Sequence, residues 1–122
     1  MIKQELLLDS IVQGIKQKKA EDIVKLDLTN LHNTFCDHFI ICQAGSERLV
    51  QAIADSAEEY AFTEAKEKPI NKTGYTNAEW VLLDYGDVVV HIFKNEFREV
   101  YNLEELWSEA DLTKIENTYS TV

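Results

Sequence analysis

Gly45 and Ser46 stand where the largely apolar run Phe39 to Ala44 gives way to a helical pattern beginning at Glu47. In that setting backbone N–H groups and a hydroxyl can meet a phosphate. A nucleotidyl-transfer enzyme built on such a turn also needs two carboxylates close together on a strand, to hold divalent ions against the triphosphate. Asp84 and Asp87 are the best pair for this, but they flank a turn instead of alternating along one strand face. Gly-Ser before a helix more often acts as a cap alone. A metal centre would draw on His38, His91 and nearby aspartates, with His32 further off. No HxxxH or CxxC spacing supports it, and a hydrogen-bonded structural histidine is the simpler reading of each. A Cys–His nucleophile would use Cys36 or Cys42, yet Cys42 sits in a strand that reads as core and Cys36 has no identifiable base.

The elements that must position these groups follow from hydrophobic spacing. Ile2, Leu6, Leu7, Ile11, Val12 and Ile15 recur as the stripe of an amphipathic helix, whose last turn carries Lys16, Lys18 and Lys19 against the negative end of its dipole. Asp22 to Leu28 alternates like a strand, and Asp37 to Ala44 reads as a more continuously buried one. Ser46 caps a helix running to about Lys66, with Leu49, Val50, Ile53, Ala57 and Tyr60 on its apolar face. Pro69 confines any strand near it to an edge or a strand start. Two more strands, Glu79 to Leu83 and Asp87 to Phe93, precede a helical region around "NEFREVYNLEELWSEA" and a polar tail expected to be poorly ordered. This order predicts an α/β (α+β) domain, a mixed sheet of about five strands with helices packed on it. One domain spans 1–110, and 111–122 is the tail.

The segment "EWVLLDYGDVVVHIF" is the most informative. "DYG" fits a type I turn closed by a left-handed Gly86. That loop sets Leu83 beside Asp87, Val81 beside Val89 and Glu79 beside His91 on one face, with Trp80, Leu82, Val88, Val90 and Ile92 on the other. Both faces are apolar, so one is packed by helices and the other is packed by the remaining helix or kept for a partner.

Composition narrows the classes. With 122 residues, 45% hydrophobic, one Pro and four Gly, the chain is a single globular domain. No apolar run reaches the roughly 20 residues of a membrane helix, and the N-terminal stretch carries acidic residues and no small-residue cleavage site, so a soluble, unexported protein is expected. Two cysteines are too few for a disulfide framework or a four-ligand zinc site and read as free thiols in a reducing cytoplasm. A net charge of −10 weighs against a nucleic-acid-binding module and favours a basic partner or none.

"DHFIICQAGSERLVQAIADSAEE", "EWVLLDYGDVVVHIF" and "REVYNLEELW" together resemble the ribosomal silencing factor, or Iojap-like, family, from about Glu21 to Ala110. The chain departs from it at Lys72, Thr73 and Gly74, where family members often have an acidic residue before the glycine. The resemblance implies a cytoplasmic, non-catalytic protein without cofactors. Its fold would be similar to nucleotidyltransferases but lack their carboxylate pair. It would bind the large ribosomal subunit through that subunit's fourteenth ribosomal protein, block joining of the small subunit, and repress translation when nutrients are scarce. Trp80 would be the aromatic anchor, with Leu82, Asp84 and Tyr85 around it. A basic ribosomal protein is also the landing site an acidic domain needs near rRNA, so little direct nucleic-acid contact is expected. A two-sided apolar sheet adds the expectation of a weak homodimer. The alternatives are a degenerate nucleotidyltransferase-like enzyme and a generic protein-binding adaptor.

Overall fold

The computed structural model describes residues 2–32 and 34–116. The N-terminal stripe folds as α1 (Ile2–Gln17), burying Leu7, Ile11 and Ile15. Next come β1 (Glu21–Asp27), β2 (His38–Ala44), α2 (Glu47–Ala65), β3 (Asn71–Thr73), β4 (Trp80–Asp84) and β5 (Val88–Lys94). The described chain ends with α3 (Asn95–Tyr101), α4 (Leu103–Leu106) and β6 (Asp111–Ile115). Ser46 caps α2 as expected, its Oγ accepting from the Leu49 N–H at 3.2 Å.

The strands form one mixed sheet in the order β3-β4-β5-β2-β1-β6. Among the described residues only β2 and β5 pair in parallel, at the centre, and both are buried along almost their whole length. Such two-sided burial is what a parallel pair requires. After Pro69, β3 is an edge strand, as proline demands.

The sixth strand corrects the expected tail. Residues 111–115 pair antiparallel with β1, setting Leu112 opposite Leu26 and Ile115 opposite Ile23, so two apolar side chains in a polar-looking segment find partners. The rest of the segment expected to be a poorly ordered tail, 117–122, lies outside the described residues.

The hairpin register is a second correction. The Tyr85 N–H donates to the Val88 carbonyl at 2.8 Å, which leaves Gly86 and Asp87 as a two-residue loop. Gly86 takes φ +90° at the first loop position, the arrangement of a type II′ turn, and its N–H is held by Asp84 Oδ1 at 2.8 Å. Trp80 therefore faces Phe93, Leu82 faces His91 and Leu83 faces Val90. The pairing has moved by an odd number of residues, so side chains change face relative to their partners. Trp80 and Leu82 stand with Val89, His91 and Phe93, whereas Val88, Val90 and Ile92 join Val81 and Leu83 on the opposite face.

One face is packed by α1 and α2, through Ile11, Ile15, Val50, Ile53 and a run of alanines. The helices approach closely where they cross: a Cβ on Gly14 would lie 2.6 Å from the Ser56 carbonyl oxygen, and Ser56 Oγ donates to the Gly14 carbonyl at 2.7 Å. The other face carries a second core of Leu26, Phe39, Ile41, Val89, Phe93 and Leu103, with Trp80, Leu82, Phe97 and Trp107 partly buried against it.

Candidate partner-binding face

Alternation along β4 and β5 delivers Trp80, Leu82, His91 and Phe93 to this second face. Trp80 Nε1 donates to His91 Nδ1 at 3.0 Å, which fixes the imidazole proton on Nε2. Burial lowers the His91 pKa from 6.5 to about 3, so the ring is a neutral acceptor. Trp80 stacks on Phe93 at 5.1 Å between ring centres, with planes 24° apart, and Tyr101 closes over it at 4.5 Å. On the other side of His91, Phe39 meets the imidazole edge-on at 4.5 Å and meets Trp107 at 5.8 Å and 88°. Rings from β2, β4, β5, α3 and the end of α4 thus form one continuous aromatic layer.

That layer is only partly covered. Trp80 and Leu82 are half-buried, Tyr101 is 47% exposed, and Val100 and Leu106 stand 72% and 71% exposed on the short helices. Glu96, Glu99, Glu105 and Glu109 are exposed along the same segment. An apolar, aromatic surface bordered by carboxylates suits a basic partner with an apolar patch.

Of the four residues marked in the sequence, Trp80 and Leu82 come together here. Asp84 is at the end of the same row, its carboxylate spent on the Gly86 N–H. Tyr85 is on the opposite face, buried in the core beneath α1 and α2, with a hydroxyl that has no hydrogen-bond partner among the described residues. Burial pushes its phenol pKa well up, with the Glu58 and Glu67 carboxylates adding to the shift.

The other chemical candidates are dispersed. Ser46 is engaged as the cap of α2. The Asp87 carbonyl accepts the Asp37 and His38 N–H groups at 2.8 and 3.1 Å. His38 Nε2 lies 3.9 Å from Asp27, whose carboxyl is held below its usual range chiefly by the Thr29 hydroxyl and then by the Thr29 N–H. Among the described residues no group of three or more His, Cys, Asp or Glu is placed to hold a metal ion. Burial pushes the Cys36 and Cys42 thiols to about 11 and about 12, so neither is a thiolate nucleophile at neutral pH.

Sequence reasoning missed Phe39, Tyr101 and Trp107 as parts of this surface. The aromatic positions in "REVYNLEELW" are a usable signal, but their partners are not: Tyr101 meets Trp80 of β4, and Trp107, beyond the turn at Asn102 with its φ of +44°, meets Phe39 of β2.

The sequence family described as "Ribosomal silencing factor during starvation" matches residues 2–121. The chain is 41% identical over 120 residues to a ribosomal silencing factor of Halalkalibacterium halodurans, covering 98% of this chain and 100% of that one. It is 38% identical over 117 residues to the Bacillus subtilis factor of the same description, covering 93% and 94%. A crystal structure of a Chromobacterium violaceum protein superposes with a TM-score of 0.80 at 32% identity, over 88% of each chain.

Proposed function

Because the chain belongs to the ribosomal silencing factor family, we propose that it binds the large ribosomal subunit and keeps the small subunit from joining it, lowering translation when nutrients are scarce. The landing site is the subunit's fourteenth ribosomal protein, a basic surface suited to a domain of net charge −10 that rRNA itself repels. The protein acts in the cytoplasm by occupancy, not by catalysis.

The observation that carries this reading is the half-open aromatic face around Trp80, bordered by glutamates and covered in part by α3, α4 and the segment carrying Leu28, Leu31 and Cys36. Trp80 and Leu82 offer apolar contact to the partner. Asp84 holds the hairpin turn, and Tyr85 backs the hairpin from the opposite side. The same exposed apolar area makes a weak homodimer when no subunit is present, to be read as concentration-dependent sedimentation.

The test uses purified subunits. The protein is expected to pellet with large subunits, to leave small subunits in the supernatant, and to reduce the light scattering that reports subunit joining. Undiminished joining at saturating protein would overturn the reading. Magnesium-dependent binding of nucleoside triphosphate, abolished by Asp84→Ala or Asp87→Ala, would replace it with an enzyme.

A further inference from the structure

Arg98 is 8% exposed, and a buried guanidinium is tolerated only when its donors are served. Here they reach three separate elements. Nη1 donates to the Asp22 carbonyl of β1 at 2.6 Å and to Gln43 Oε1 of β2 at 3.1 Å. Nη2 and Nε both donate to Glu104 Oε2 of α4, at 2.6 and 3.2 Å. The Asp22 carbonyl belongs to the stretch where the β1–β2 register shifts between Glu21 and Val24, and Asp22 itself takes φ +49°. One side chain on α3 therefore ties α4 and both strands to its own helix.

The helices it ties need such an anchor. α3 has seven residues and no side-chain N-cap bond, and α4 has four residues. Segments this short do not hold a helix alone. Tyr101, three positions after Arg98, lies on the same side of α3 and carries the ring 4.5 Å from Trp80. Leu103, beside Glu104, fills the core below.

We propose that Arg98 is the positioning residue of the binding face: its guanidinium fixes α3 and α4 on the sheet and thereby sets the pose in which Tyr101 presents Trp80 to the partner. This rests on the reading of that face as the ribosomal contact. A lysine at this position has the charge but not the planar fork that serves acceptors in three elements at once.

Two variants test it, Arg98→Lys and the double variant Arg98→Met with Glu104→Met, which leaves no unpaired carboxylate and preserves folding if the single change does not. Both tryptophans, Trp80 and Trp107, belong to this face, so near-UV circular dichroism reports its packing selectively. The control is Ile15→Val, in the core on the other side of the sheet. The Arg98 variants are expected to lose much of the near-UV signal and to bind large subunits on the order of tenfold more weakly, since Trp80 and Tyr101 must then be ordered on binding. The control keeps both. An unchanged near-UV spectrum, full binding by the Arg98 variants, or an equal loss in Ile15→Val would overturn the proposal. Failure of the wild type to pellet with subunits would instead sink the ribosomal reading, and the near-UV arm would still decide whether Arg98 places the rings.

Discussion

The two faces of the sheet are made by the same alternating strands but are covered very differently. On one, α1 and α2, of 16 and 19 residues, lie against each other and bury Ile11, Ile15, Ile53 and Val90 completely. On the other, α3 and α4 are short, and Trp80, Leu82 and Trp107 stay half-open. Long helices with small residues at their crossing can close a face by aliphatic packing alone. A face closed by two short helices needs aromatic rings to gain area and a buried arginine to fix the helices, and it leaves surface over for another molecule. On the proposed reading, the first face carries stability and the second carries binding.

The largest expected effect tests the first half of that division. Ile53→Ala should cost about 3–4 kcal/mol of stability through lost transfer energy and a cavity in a well-packed site, measured by urea unfolding. Binding by the folded fraction should be unchanged; a matching loss of affinity would mean that the faces are not separable. Gly14→Ala should follow at about 1–3 kcal/mol, because its Cβ meets backbone at the helix crossing and neither helix can shift without repacking the core. A melting temperature equal to wild type would show that this crossing is loose.

The second face has its own signature, in acid. His91 has a pKa of about 3 when folded against an ordinary 6.5, so the unfolded chain takes up the proton first. Its contribution is complete above pH 6.5 and is lost as the pH falls toward 3, at up to about 1.4 kcal/mol per pH unit. Unfolding followed between pH 6.5 and 5, above most carboxylate titrations, should show a shallower slope in His91→Gln than in wild type. Equal slopes would mean that the imidazole is already charged or open to water.

Tyr85→Phe should have the smallest effect. It removes a buried hydroxyl that has no partner among the described residues, so stability should stay level or rise by up to about 1 kcal/mol. Subunit affinity should not move. A loss of affinity would place Tyr85 at the partner surface after all.

Much of this architecture was legible because it is periodic. The α1 stripe, the Ser46 cap, the buried β2 and the edge position of β3 follow from local spacing and from Pro69. The hairpin faces were not legible, because they hang on which residues form the loop. One Asp84 carboxylate holding the Gly86 N–H converts the expected three-residue loop into a two-residue one and exchanges the neighbours of Trp80. Nor was β6, whose Leu112 and Ile115 look isolated until β1 lies beside them. Trp80 and Leu82 could be marked from resemblance, whereas Arg98 could not: two of its three acceptors lie 76 and 55 positions away in the chain, at Asp22 and Gln43.

The most direct measurement compares Trp80→Ala with wild type in two assays, thermal melting and co-sedimentation with large ribosomal subunits. Loss of an aromatic anchor should weaken binding by roughly 30- to 1,000-fold, equivalent to about 2–4 kcal/mol. The melting temperature should fall less than in Ile53→Ala, since Trp80 is half-buried and Ile53 is not exposed at all. A Trp80→Ala protein that pellets with subunits as well as wild type, or whose lost binding is fully explained by unfolding, would contradict the division between a face that holds the fold and a face that holds the partner.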